Sequence, residues 1–139
     1  MTYTTRISCD KANLKLVRDF VSDVLKGYSI PDTEVNLVVV AVDEVCSNLI
    51  IHAHNCNDQE SIDIEISHNK STFVFEIIDR GSVFDISRYD APSIDKIIKN
   101  KKMGGIGLIL VKKIMDKIQI EQNGGRNICR LYKTLSLPS

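Results

Sequence analysis

The sequence has no excess of charge of either sign, because eighteen Lys and Arg stand against eighteen Asp and Glu. A balanced chain exerts no global pull on nucleic acid or an anionic membrane surface. Neither direct nucleic-acid binding nor membrane association is therefore expected. Apolar runs are short: none approaches the roughly 20 residues a membrane span needs, and the first residues lack the apolar core of a signal peptide. Cys9, Cys46, Cys56 and Cys129 are scattered with no C-x-x-C pair, which argues against a zinc cluster or a dithiol redox centre. Such thiols fit buried free cysteines in a reducing compartment, and a cytoplasmic location is expected. Internal repeats, linkers and low-complexity tracts are also missing. What remains is a single domain, residues 1–139, long enough for a hydrophobic core.

What the chain does have is a long periodic segment, Glu34–Asn55. Val35, Val38, Val39, Val42, Val45, Cys46, Leu49, Ile50 and Ala53 recur there at helical spacing. A second apolar strip on roughly the opposite side holds Leu37, Val40, Ala41 and Ile51. At about 100° per residue, Glu44 falls inside that second strip and Asn48 at its edge. The solvated face lies elsewhere, at Asn36, Asp43, Ser47 and His54. A carboxylate and an amide one turn apart thus project from an apolar side. Burying a lone carboxylate is costly, so the placement suggests a ligand, a metal or a wet cleft. The alternative is a Glu44 at the edge of a partly exposed helix.

Around this segment the pattern predicts strands and helices in turn. Thr2–Ser8 alternates as a first strand, and Asp10 caps a helix through Lys26 that ends at Gly27. Asp32 or Thr33 is expected to cap the long helix. Ile62, Ile64 and Ile66 alternate with polar residues, His68–Ser71 has turn chemistry, and Thr72–Ile78 follows as a more central antiparallel partner. Asp85–Met103 is poorly periodic, with a short helix expected near Ser93–Lys99, and a loop of this length is usually functional. Gly104-Gly105-Ile106-Gly107 opens a helix striped by Leu110, Val111, Ile114 and Ile118. Ile118–Gln122 and Arg126–Thr134 form a hairpin about Asn123-Gly124-Gly125. The fold class expected is α+β, a two-layer sandwich of a mainly antiparallel sheet with helices on one face.

Three pieces carry chemistry. Glycines before a helix let backbone N–H groups approach an anion that the helix dipole also favours, so Gly104–Leu108 is suited to phosphate. It is neither a Walker motif nor the dinucleotide fingerprint, for it lacks G-K-[ST] and a βαβ setting. Asp79-Arg80-Gly81 places an acceptor at a strand end, where it can pair with an exocyclic amine. A carboxylate–amide pair near phosphates can hold Mg²⁺ or orient a nucleophile, and Mg²⁺ needs few protein ligands.

Taken together, Glu44-x-x-x-Asn48-x-x-x-His52, Asp79-x-Gly81-x-x-Phe84-Asp85 and Gly105-x-Gly107-Leu108 occur in that order. They resemble the N, G1 and G2 boxes of the GHKL ATPase superfamily. The single-domain length, the D-x-G-x-x-F-D form and the V-D-E-V-C-S-N-L-I-I-H helix resemble its anti-sigma factor serine-protein kinases, the RsbW/SpoIIAB type. The resemblance implies a Bergerat-type ATP-binding fold. It implies that Asn48 holds Mg²⁺ against ATP and that Glu44 is the catalytic base. Asp79 would bind the adenine amine in a pocket shaped by Gly81, and Gly105, Gly107 and Leu108 would offer backbone to the phosphates. His52 would lie near the nucleotide, and Asp85–Met103 would be the ATP lid. Family members phosphorylate a serine of a STAS-domain antagonist, sequester a sigma factor and commonly form homodimers.

Departures are few. Val83 stands where broader members often have a glycine, which this subfamily tolerates. Arg126 and Asn127 follow Gly125 where many members have a threonine near adenine, so no adenine contact is assigned there; Lys99, Lys101 and Lys102 also stay unassigned. A nucleotide-dependent module that holds its partner without phosphorylating it would not need Glu44. A histidine kinase fragment is disfavoured, since no phosphoacceptor-histidine helix precedes the domain.

Overall fold

The computed structural model describes residues 1–53, 57, 59–80 and 105–138, with 52–53 and 105–108 described by their backbone. Strands β1 (Tyr3–Ser8), β2 (Ser61–Asn69), β3 (Thr72–Arg80), β4 (Lys117–Asn123) and β5 (Arg126–Thr134) form one sheet in the order β1-β2-β3-β5-β4. Every pairing is antiparallel. Helices α1 (Leu14–Gly27), α2 (Asp32–Asn48) and α3 (Gly105–Ile114) supply Val17, Val21 and Leu25, then Val38, Val42 and Val45, then Val111 to one core. The sheet answers with Ile62, Ile64 and Ile66 from β2 and Phe73, Phe75 and Ile77 from β3. Two-residue alternation on the strands and 3.6-residue recurrence on the helices thus meet in a two-layer α+β sandwich. Each fully buried Phe, Leu or Ile side chain contributes about 1.5–3 kcal/mol relative to exposure. No described helix is long and apolar enough to cross a membrane.

Strand β3 is the middle of the five, as its continuous apolar run predicts. Its register with β5 sets Phe75 opposite Leu131, Ile77 opposite Cys129 and Asp79 opposite Asn127. At the far end of β3 from Asp79, Tyr28 meets Phe73 and His68 edge-on, and its hydroxyl lies 3.0 Å from that of Tyr3. The β4–β5 turn is the two residues Gly124 and Gly125, at φ 58° and 80°. Left-handed backbone at both positions is what a two-residue hairpin matched to strand twist requires.

Several local expectations are corrected. Asp10 caps a short 3₁₀ turn, Lys11–Asn13, by accepting from the Ala12 N–H at 2.9 Å, and α1 starts only after it. Helix α1 does end at Gly27 as expected, and the left-handed residue just beyond it is Ser29 (φ 60°). The reversal carries Ile30 into the core, and the Ile30 N–H donates back to the Leu25 carbonyl at 3.3 Å. Neither Asp32 nor Thr33 caps α2. Pro31 holds the cap position, its carbonyl accepting from the N–H groups of Glu34 and Val35 at 3.0 Å. The long helix also does not run to Asn55: α2 stops at Asn48 and widens into a π turn, Leu49–Ala53. Apolar periodicity continues through that change, so sequence spacing does not register it. β2 and β3 each outlast their apolar cores, ending at Asn69 and Arg80, because cross-strand pairing continues past the last isoleucines. Ile118 belongs to β4, and Leu110 is exposed on α3. The turn at Asn55–Asp58 falls mostly, and the loop Asp85–Met103 entirely, outside the described residues.

Candidate functional site

The C-terminal turn of α2 presents Glu44 and Asn48. Asn48 is only 3% exposed, and its Nδ2 donates at 2.7 Å to the backbone carbonyl of Glu44, one turn back. That bond fixes the amide against its own helix. The oxygen end of such an amide is a hard acceptor of the kind Mg²⁺ takes. Glu44 is half-buried, and burial pushes its carboxyl up from the usual range, with the neighbouring Asp43 adding to the effect. Asp43 itself accepts from Arg18 Nη1 at 3.2 Å across α1 and α2. On the second apolar strip Ala41 is buried, but Leu37 and Val40 are exposed. Glu44 therefore stands in a half-open strip, where a carboxylate tolerates its position without being dry.

Asp79 follows Phe73, Phe75 and Ile77 on the core-facing row of β3, and it too is 3% exposed. It is the next-to-last residue of β3, at the strand end where the motif places it. Its cross-strand neighbour Asn127 is 6% exposed. Among the described residues, Asn48, Asp79 and Asn127 are the only buried polar or charged ones. Sequence reasoning assigned Asn127 no role. A signal was available: counting back in twos from the inward Leu131 and Cys129 turns Asn127 to the same side. Only the β3–β5 register, which nothing local specifies, sets it opposite Asp79.

Gly105 and Gly107 occupy the first turn of α3, with Leu108 next. The first N–H groups of a helix have no intrahelical acceptor and favour an anion. Helix α2 packs against α3 and touches β3, so the elements bearing Glu44 and Asn48, the glycines, and Asp79 are neighbours. His52 lies in the π turn just past Asn48, a bulge type common at functional sites; its side chain is outside the described residues, as are Gly81, Phe84 and Asp85. Among the described residues no cluster of three or more His, Cys, Asp or Glu could hold a metal. A cation here would rely on Asn48, ligand oxygens and water, a set that suits Mg²⁺.

A family model for the histidine kinase-like ATPase domain matches residues 7–133. Serine-protein kinase RsbW of Halalkalibacterium halodurans is 29% identical over 103 residues, which are 71% of this chain and 61% of that protein. Serine-protein kinase RsbW of Bacillus velezensis is 25% identical over 130 residues, 86% of this chain and 78% of that protein. The match thus spans about three fifths of the first of these relatives. Among solved structures, the RsbU and RsbW domains of Rv1364c from Mycobacterium tuberculosis align over 100% of this chain and 34% of that one, with a TM-score of 0.70 at 15% identity. The SiaB–SiaC complex from Pseudomonas aeruginosa aligns over 98% and 89%, with a TM-score of 0.61 at 16% identity. At these identities the structures establish a shared fold.

Proposed function

This chain belongs to the histidine kinase-like ATPase domain family, and from that premise we propose that it is an ATP-dependent serine-protein kinase and anti-sigma regulator. Its phosphoacceptor is a serine of a STAS-domain antagonist, and its other partner is a sigma factor. The observation that carries the reading is the buried polar set. In a core otherwise apolar, Asn48 and Asp79 are buried at the two places where the motifs require a polar atom toward nucleotide, and Asn127 stands beside Asp79. An adenine amine and a hydrated cation are the chemistry that a carboxylate and an amide oxygen at these two places suit.

The residues present fit ATP and Mg²⁺, and each has a task. Asp79 accepts from the exocyclic amine, with Gly81 shaping the pocket. The backbone of Gly105, Gly107 and Leu108 donates to phosphate oxygens at the N-terminus of α3. Asn48 holds the cation through Oδ1, and His52 lines the nucleotide. Mg²⁺, when bound, supplies charge neutralisation for the phosphates. Glu44 would take the proton of the attacking serine hydroxyl onto a carboxylate oxygen as the serine oxygen bonds to the terminal phosphorus, whose bond to the bridging oxygen breaks so that ADP leaves. A carboxyl raised by burial is a stronger base than an ordinary one. The kinase assignment is supported by the RsbW relatives, which are named serine-protein kinases.

Calorimetric titration with ATP, with and without Mg²⁺, tests the site. Saturable binding is expected, weakened about tenfold or more in Asp79→Asn, where one charged acceptor is lost. Asn48→Ala should abolish the Mg²⁺-dependent part. No binding to folded protein at millimolar ATP would sink the enzyme reading. Phosphotransfer to STAS proteins of the same genome then tests the substrate.

A further inference from the structure

The sheet face turned away from the core carries its own ordered chemistry. Along β3 the outward row ends Glu76, Ile78, Arg80, and β5 places Arg130, Ile128 and Arg126 opposite them. Ile78 and Ile128 are buried together on this face. The arginines around them are treated unequally. Arg130 lies between two carboxylates, with Nε 3.4 Å from Glu76 Oε2 and Nη1 2.5 Å from Glu121 Oε2. Arg6 grips Asp63 with two bonds, Nε to Oδ1 at 2.6 Å and Nη2 to Oδ2 at 3.1 Å. Arg80 and Arg126 sit directly opposite each other in the register, and among the described residues neither has an ion-pair partner.

Like charges directly opposite on an antiparallel pair destabilise it. Here that arrangement borders a cavity of about 370 Å³, lined by Arg6, Ser61, Asp63, Ile78, Arg80 and Arg126, with Asp79 also contributing. Guanidinium groups present planar forks of N–H donors that match oxyanions bidentately. The cavity has room for a tetrahedral anion with several waters, each of about 30 Å³. Three arginines stand against Asp63 and Asp79 in this lining, and with Asp63 held by Arg6 the cationic excess lies at Arg80 and Arg126.

We propose that Arg80 and Arg126, flanked by Arg6 and Ser61, form an oxyanion site for a phosphate-type dianion on the sheet face turned away from the core. It stands across β3 from the core-facing row that holds Asp79. The anion neutralises the opposed arginine pair and relieves its repulsion. Residue Arg80 so gives the D-R-G segment two faces: the aspartate turns inward and the arginine outward. The site rests on side-chain placement alone and does not depend on the nucleotide reading.

The test is a nuclear magnetic resonance titration of the full chain with inorganic phosphate against chloride at constant ionic strength. It follows the backbone amides of residues 79–80 and 126–127 and the arginine Nε–H signals. Saturable shifts at Arg80 and Arg126 are expected in the wild type and in Asp79→Asn. In Arg80→Gln and Arg126→Gln the affinity should fall about tenfold or more, as when a charge-assisted partner is removed. Each variant should also melt higher than the wild type in chloride, because the opposed charges are gone. Shifts confined to residues 105–108, or equal affinity in the arginine variants, would overturn the site while leaving the nucleotide reading intact. Replacing free phosphate with a phosphoserine peptide identifies the source. Tighter binding points to a phosphoryl group on a protein, and equal binding to the free anion; both uphold the site.

Discussion

Glu44 is the residue whose environment says most about its work. Burial, then Asp43, lifts its carboxyl above the ordinary value of 4.5. The folded chain therefore holds a proton more readily than the unfolded chain. Stability falls as pH rises from the ordinary value through the raised one, and below 4.5 both states are protonated and Glu44 has no effect. Glu44→Gln should raise the melting temperature at neutral pH, with the gain vanishing in acid. The same direction puts the acid limb of phosphotransfer above the ordinary carboxylate range. A limb at or below 4.5 would remove Glu44 as the titrating base. Glu44→Ala should leave ATP affinity nearly unchanged and reduce phosphotransfer by about 10²–10⁴-fold, the usual worth of general base catalysis. An unchanged single-turnover rate would exclude that role. Asn127 is the instructive omission at this scale. Its inward direction was legible from alternation along β5, but its position beside Asp79 depends on strands far apart in sequence.

At the scale of elements, local chemistry announced itself well where the backbone needed a special residue and poorly where tertiary contacts decided. The Gly124-Gly125 hairpin was legible because both φ values are positive and glycine is the residue that accepts this freely. The end of α1 at Gly27 was legible too, but the left-handed residue after it was not, because a serine holds that turn so that Ile30 can be buried. Ser29→Gly tests this, since a non-glycine residue in that region carries strain of order 1 kcal/mol. The variant should gain up to about 0.5 kcal/mol in denaturant unfolding, after the entropic cost of glycine is subtracted. A loss would mean that the serine contributes more than its backbone strain removes. The stop of α2 at Asn48 was equally invisible. Leu49 and Ile50 continue the apolar run while the helix widens to a π turn just past Asn48.

Across the whole molecule, composition foresaw the two-layer α+β architecture, because period-two and period-3.6 stretches alternate cleanly along the chain. It did not foresee which distant residues meet. Cys9, Cys46 and Cys129 come from just past β1, from α2 and from β5, yet all three are buried. Burial pushes the Cys46 thiol far up, with Asp43, Cys129 and Cys9 adding in that order. Such a thiol is a poor nucleophile. The candidate site was legible as three motifs, and the sheet order explains why spacing alone could not assemble them.

That order also fixes when the site can exist during synthesis. Strand β3 waits between β2 and β5, and β5 is the last strand to be made. Ribosomes emit chain at about 5–20 residues per second, so a nascent molecule carries Asp79 for several seconds before Asn127 can close beside it. A stalled chain ending before residue 126 should show no affinity for an immobilised ATP analogue. One extended past Thr134 and clear of the exit tunnel should bind it. On the proposed function, nucleotide recognition then doubles as a signal that translation of the sheet is complete.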